Sequence, residues 1–127
     1  MIGKVIRSLL DDNAALVALV PVTNMFPYVM NEGTALPAII YTIDSLETEY
    51  NKDGHVQDNY TFSVATFSND YAILQSIVTQ VRIALESKRG IVETITIGPI
   101  YLRGMKEAYS IGEDTFGNIL TFDVNVI

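Results

Sequence analysis

The chain has no cysteine, no tryptophan and a single histidine, His55, among its 127 residues. Without thiols there is no disulfide framework, no thiolate metal site and no cysteine nucleophile, a usage that suits a reducing cytoplasm. One histidine leaves no imidazole pair for zinc and no Ser-His-Asp arrangement that can be assembled around it. Basic residues are also scarce: eight lysines and arginines stand against 15 acids, a formal charge of −7 and a pI near 4.4. That balance reverses the basic footprint that phosphate backbones select, so no specific nucleic acid is expected as a partner. The acidity fits solubility in general and a negatively lined channel in particular. Long apolar runs are missing too. The longest, Ala14 to Val20, stops at Pro21, far short of the about 18 residues of a membrane span. No membrane partner is expected. Lys4 and Arg7 fall inside an amphipathic pattern instead of preceding a continuous apolar core, so no signal peptide is expected either.

What is present is the composition of one packed domain over residues 1–127: 49% of residues are hydrophobic and 18% charged, with a mean hydropathy of +0.27. Ile2, Val5, Ile6, Leu9 and Leu10 recur at helical spacing and predict an amphipathic helix over 2–11, with Arg7 and Ser8 facing water. Asn13 is placed to cap a second short helix over 14–19, which Pro21 ends. Met25 to Val29 is extended, and Pro27 confines it to a sheet edge or bulge. Ala38 to Asp44 is a β-rich run with apolar side chains on both faces, predicted to lie near the middle of a sheet. Val56 to Ser68 alternates, with Val56, Tyr60, Phe62 and Val64 on the buried face.

The principal helix is predicted over 70–87. Ser68 or Asn69 caps it, Leu74, Ile77, Val78, Val81 and Leu85 form its apolar stripe, Lys88 and Arg89 complement its dipole, and Gly90 closes it. Strands follow at 91–97, at 100–111 with an interruption at Gly104, and at 119–127, punctuated by Gly98-Pro99 and Gly117-Asn118. Helices, strands, helix, strands without repeated βαβ units predict an α+β fold: a mainly antiparallel sheet with the principal helix and an N-terminal helical arm packed on one face. Val64, Leu74, Ile77, Val81, Phe122 and Val124 are the expected core.

No pattern for chemistry survives inspection. Glu49, Asn51, Asp53 and Gly54 imitate the opening of an EF-hand loop, but its twelfth position, a bidentate acid in that motif, is Tyr60. Glu47 with Glu49, and Glu113 with Asp114, are paired acids in polar segments, where solvated loop carboxylates are the ordinary reading. The glycines are isolated, and none opens a helix as a phosphate cradle does. Tyr60, Phe62, Phe67 and Tyr71 lack the interleaved cations of a stacking platform. The chain is therefore expected to have no catalytic residues, no metal and no cofactor.

Residues 45–57, SLETEYNKDGHVQ, join two strong strands by a polar stretch longer than ordinary hairpin loops. Glu47 and Glu49 alternate with Leu46, Thr48 and Tyr50, and Asp53-Gly54 is a tight-turn dipeptide. Two readings stay open: a protruding hairpin with Asp53-Gly54 at its tip, or a mobile surface loop. As a hairpin it is a candidate assembly interface carried by Leu46, Glu47, Glu49, Tyr50, Lys52, Asp53, His55 and Val56.

In their order these pieces resemble the tail-terminator (tail-completion) family of long-tailed bacteriophages. The landmarks are the two helices with Asn13-Ala14-Ala15-Leu16-Val17-Ala18-Leu19-Val20, then Met25-Phe26-Pro27 and Leu36-Pro37-Ala38-Ile39-Ile40-Tyr41. After them come Asp53-Gly54, Ser63-Val64-Ala65-Thr66-Phe67-Ser68, the helix from Tyr71 to Leu85, and Leu120-Thr121-Phe122-Asp123-Val124. The 45–57 segment is longer than the family pattern, and 91–111 carries no landmark of it. The resemblance implies a structural assembly protein of the virion tail, made in the bacterial host cytoplasm. It implies a ring, a hexamer of this chain, that caps the tail tube protein and meets the head connector or another neck protein. The alternatives are another neck component, such as a head-closure or connector-joining protein, and a small-molecule-binding or enzymatic α/β domain, which a deep pocket of converging polar groups would favour.

Overall fold

The computed structural model describes residues 2–28, 35–110 and 114–126, with the backbone alone at 55, 56 and 110. Helix α1 spans Ile2–Asp11 and α2 spans Ala14–Leu19. The Asn13 side chain accepts the N–H of Leu16 at 3.0 Å, the cap expected there, and its amide donates to the Gln80 carbonyl at 3.3 Å. Val20, held extended ahead of Pro21, ends α2. A single 3-10 turn, Val22–Asn24, leads into strand β1, Met25–Pro27. Arg7 does not face water as its place on the helix suggested. Its guanidinium donates to the carbonyls of Met25 and Val22, each at 2.7 Å, and pairs with Asp11 at 3.0 Å, so it ties α1 to the turn below.

Strand β2 runs Ala38–Asn51 and β3 runs Gly54–Ser68; helix α3 follows at Tyr71–Leu85. Then come β4 at Gly90–Val92, β5 at Ile95–Ile97, β6 at Tyr101–Ser110 and β7 at Thr115–Val126. The sheet order is β1-β2-β3-β7-β5-β4, with β6 also on β7. The β6 strand and the single Ile97↔Val126 contact of β5 share the same edge of β7. Every pair is antiparallel except β1 with β2. The expected α+β architecture is therefore the observed one.

One face of this sheet carries the core. Phe62 and Val64 of β3, and Leu120, Phe122 and Val124 of β7, pack under Leu74, Ile77, Val78, Val81 and Leu85 of α3 and Ile2, Val5, Ile6 and Leu10 of α1. The Phe62 and Phe122 rings, cross-strand partners, stack at 5.3 Å. All six side chains expected in the core are buried.

Several boundaries differ from the sequence reading, each for a physical reason. The cap of α3 is Asp70, one residue beyond the expected pair; its carboxylate accepts the N–H groups of Ala72 and Ile73 at 2.8 and 3.2 Å, while Ser68 accepts the Asp70 N–H instead. Gly90 does not close the helix. Ser87 takes a positive φ, and the chain after the helix is held to the β5–β6 bend: Ser87 N–H donates to the Ile100 carbonyl and Ile100 N–H to the Lys88 carbonyl. The predicted strand 91–97 is instead a hairpin, because Glu93 and Thr94 both adopt positive φ, the twist a two-residue turn needs. Gly117-Asn118 is not a turn but the inside of β7. A Cβ on Gly117 would lie 3.3 Å from the Phe67 ring, so glycine admits that ring. Strand β2 is second from the edge, and beyond Tyr41 it has no outer partner among the described residues; Ile40 to Ile43 are only half-buried, with Tyr41 and Ile43 turned to the margin of the core. Most of the predicted 31–36 loop, with Val29, Ile111 and Ile127 at expected strand ends, lies outside the described residues.

Ile77 is fully buried between α3 and the sheet. Ile77→Ala should cost about 2–5 kcal/mol, lowering the melting temperature by roughly 10 °C for a domain of this size. A thermal melt followed by circular dichroism checks this, and an unchanged midpoint would contradict the packing.

Candidate assembly interface

Of the two readings of the 45–57 segment, the structure adopts the hairpin. Pairing of β2 with β3 is continuous in space from Ala38↔Phe67 to Asn51↔Gly54. The tip is Lys52-Asp53, one residue earlier than Asp53-Gly54. Asn51 closes it by accepting the Asp53 N–H on its side chain at 2.8 Å, and Gly54 supplies a φ of +116° as β3 begins. Because β7 pairs with β3 only from Asp58 onward, residues 49–57 overhang the described sheet while 45–48 remain within it. The protruding part is thus shorter than the sequence suggested.

Register decides which way each candidate points. Leu46 lies opposite Tyr60, on the helix-covered side, and is 50% exposed. Glu47 and Glu49 lie opposite Asn59 and Gln57, on the helix-free side. Glu49 is held there, accepting from Gln57 at 3.0 Å and Asn59 at 2.9 Å; Glu47 has no ion-pair partner among the described residues. Tyr50, Lys52 and Asp53 are exposed at the tip. The side chains of His55 and Val56 lie outside the described atoms. The eight candidates therefore do not form one patch, but divide between the two faces and the tip.

Toward the hairpin the helix-free face is polar and acidic, whereas at the other end Ile40, Ala65, Phe67 and Ile119 lie on it. The polar end forms a groove of about 460 Å³ whose lining includes Glu47, Glu49, Asn59, Thr61, Arg103 and Asp123. Several of these groups pair: Thr61 donates to Asp123 at 2.8 Å and Arg103 lies 3.7 Å from the same carboxylate, while the buried Asn59 Oδ1 has no hydrogen-bond partner among the described residues; beside the groove, Ser63 donates to Asp44. A larger cleft of about 570 Å³ lies against α1, lined by Lys4, Arg7, Asp11, Tyr41 and Glu93 among others. Among the described residues no group of three His, Asp or Glu side chains is arranged to hold a metal, and no helix is long and apolar enough to cross a membrane.

The same fold occurs in a phage-like particle. A chain of the virion of the native gene transfer agent (GTA) particle matches with a TM-score of 0.76, over 96% of this chain and 91% of that one, at 17% identity. No family description and no curated protein matches the sequence.

A second surface was not foreseen. Among the described residues strand β6 pairs only with β7, and Tyr101 and residues 103–109 are exposed. The GTA-like fold thus carries a long open edge opposite the hairpin. The edge strand is braced from within: Tyr71 of α3 donates to Glu107 at 3.0 Å, Gln75 to the same oxygen at 3.3 Å, and Tyr109 to Asp114 at 2.7 Å. Its mixed sequence, with no alternation, offered no sign of which side would be open.

Both phenols titrate late. The hydrogen bond to Glu107 raises the Tyr71 pKa above 10.0, and that to Asp114 does the same for Tyr109, since each neutral phenol is the donor. The bracing by the neutral phenols therefore persists up to pH 10.0 and is lost as pH rises through the raised values. Tyr71→Phe and Tyr109→Phe should each remove one late-titrating phenol from an ultraviolet absorbance titration; unchanged curves would mean the bonds do not form.

Proposed function

We propose that the chain is a structural assembly protein of a phage-like virion, acting as a tail terminator: it forms a ring that caps the tail tube and offers its other side to the neck. The observation that carries this reading is the coverage of the fold match, nearly end to end on both chains, with a component of a particle of that kind. Three features support it. The order of sequence landmarks resembles the terminator family. The hairpin overhangs the sheet at 49–57 as a projection suited to a neighbouring protein. Within the groove Glu49, Gln57, Thr61 and Asp123 are bonded to neighbours on the same face, which favours a wall over a substrate site. In a ring with the helices outward, the acidic sheet face lines the passage, where negative charge keeps a nucleic acid from adhering. No catalysis and no cofactor belong to this reading, and its partners are the chain itself, the tube protein and the connector or neck protein.

The structure supplies a sharper variant than removal of the whole segment. Thr48 and Asp58 already lie opposite each other, and the Thr48 hydroxyl donates to the Asp58 carboxylate at 3.0 Å. Replacing residues 49–57 by Asn-Gly joins them through a two-residue turn. The shortened protein should keep the melting temperature within a few degrees, yet no longer arrest growth of tubes assembled from the same particle's tube protein, as seen by electron microscopy. Arrest at the wild-type length by the shortened protein would remove the tip from the function.

A further inference from the structure

The described sheet has two long open edges, and they differ in charge and in direction. One is the outer edge of β2 beyond Tyr41, residues 42–51; the other is the outer edge of β6, residues 101–110. Unpaired edges of this length are templates for another strand, which is why proteins ordinarily shorten, cover or kink them. Here β2 is kinked at two places and β6 at one, with a straight stretch left on each. Register shifts at Ile43/Ser45 and Glu49/Tyr50 leave β2 regular over 45–49, and the shift at Leu102/Gly104 leaves β6 regular over 104–110.

The two regular stretches are complementary face by face. On the helix-covered side, β2 presents Leu46 and β6 presents Met105, 50% and 54% exposed. On the helix-free side, β2 presents Glu47 and Glu49, while β6 presents Lys106, placed opposite Ile119. Neither Glu47 nor Lys106 has an ion-pair partner among the described residues. In the antiparallel register that sets Glu47 opposite Lys106, Leu46 lies opposite Glu107 and diagonal to Met105, so acid meets base directly and the apolar pair meets across the diagonal, provided that the sheets join with their helix layers on the same side.

Strand direction allows this. From β2 to β3 to β7 to β6 every step is antiparallel, so β2 and β6 run in opposite senses. A second copy placed by rotation about an axis along the strands therefore brings its β2 antiparallel to the first copy's β6 without turning the sheet over. We infer that the β2 edge of one copy, at 45–49, pairs antiparallel with the β6 edge of the next, at 104–110, so that copies join head to tail through one continuous sheet. The contact is heterologous, since each copy uses a different edge toward each neighbour, and such contacts build rings when the rotation closes. This inference rests on the ring reading above and names the surface that makes the ring.

The absence of cysteine from the chain makes a direct test available. Leu46→Cys is combined in turn with Met105→Cys, Glu107→Cys and Tyr109→Cys, which share a face of β6, and the protein is oxidised mildly with and without tube protein. Residues directly opposite across a new strand pair place their Cβ atoms about 4.5–5.5 Å apart, close enough for a disulfide after small adjustment. At least one double variant should give a ladder of covalent oligomers on non-reducing gels, and Leu46→Cys alone should give none. Lys106→Glu should weaken self-association by about two- to fivefold per contact, with Glu47→Lys in the same chain restoring it.

Covalent dimers from Leu46→Cys alone would point to a symmetric β2–β2 contact and overturn the inference. Oligomers detected by light scattering, with no ladder from any double variant, would overturn edge pairing and leave the ring reading standing. A ladder with no effect on tube growth would support edge pairing and overturn the terminator reading. A chain that stays monomeric even with tube protein would overturn both.

Discussion

The structure depends on burial of one sheet face and not the other. Phe62, Val64, Leu120, Phe122 and Val124 fill the space under α3 and α1, and the dispersion and hydrophobic gain of that layer holds β3 and β7 as the central pair. No described helix covers the opposite face, so its polar groups turn to one another. They do so through cross-strand bonds between short polar side chains, Thr61 with Asp123 and Ser63 with Asp44. A sheet packed on one side is also finite at its edges. The described elements supply β1 as a three-residue guard for part of β2 and β4 as a guard for β5, and leave the rest of β2 and all of β6 bare.

Where local chemistry and tertiary structure agree, the sequence was readable. Helices α1 to α3, the Asn13 cap, the alternation of β3 and the six core residues follow from periodicity and from a polar side chain at a helix start. What could not be read lies where tertiary contact overrides a local signal. Gly117-Asn118 resembles a turn, yet it lies inside β7, where the close approach of the Phe67 ring favours glycine. Glu93-Thr94 has no turn signature, yet pairing of β4 with β5 imposes positive φ on both residues. Gly90 resembles a helix stop, but α3 is ended by hydrogen bonds to the β5–β6 bend. The candidate interface was half legible. The hairpin was visible as alternation, whereas the β6 edge was not, because an edge is defined by which strand is absent beside it.

The fold match and the resemblance bear on different links of the argument. At 17% identity, the likeness to the GTA chain speaks to backbone arrangement alone. Fold does not by itself assign function. The step to assembly needs surfaces, and those come from residue-level observations: an overhanging tip, an acidic wall and two bare edges. The bonds within the groove matter as much as its size. Glu49, Asp123 and Asp44 each already accept from a neighbour on the same face, so a ligand there would have to displace bonds before forming its own.

The same economy explains why charge sits where it does. A chain with only eight basic residues places Arg103 and Lys106 on β6, while the opposite edge carries Asp44, Glu47 and Glu49. Arg103 is already engaged with Asp123, which leaves Lys106 as the cation available to a neighbour. An exposed lysine on an edge strand ordinarily discourages pairing, because a like edge would bring two cations together. Against an acidic edge the same residue attracts. In the proposed contact Lys106 would act as a filter, disfavouring β6 against β6 and favouring β6 against β2, and so selecting head-to-tail contact over the symmetric dimer. The filter is electrostatic and largely exposed, so it is weakened as salt screens it. Light scattering across a salt series should accordingly show self-association falling as ionic strength rises, and in the Lys106→Glu variant that dependence should flatten. An interface held by Leu46 and Met105 alone would instead be indifferent to, or strengthened by, added salt.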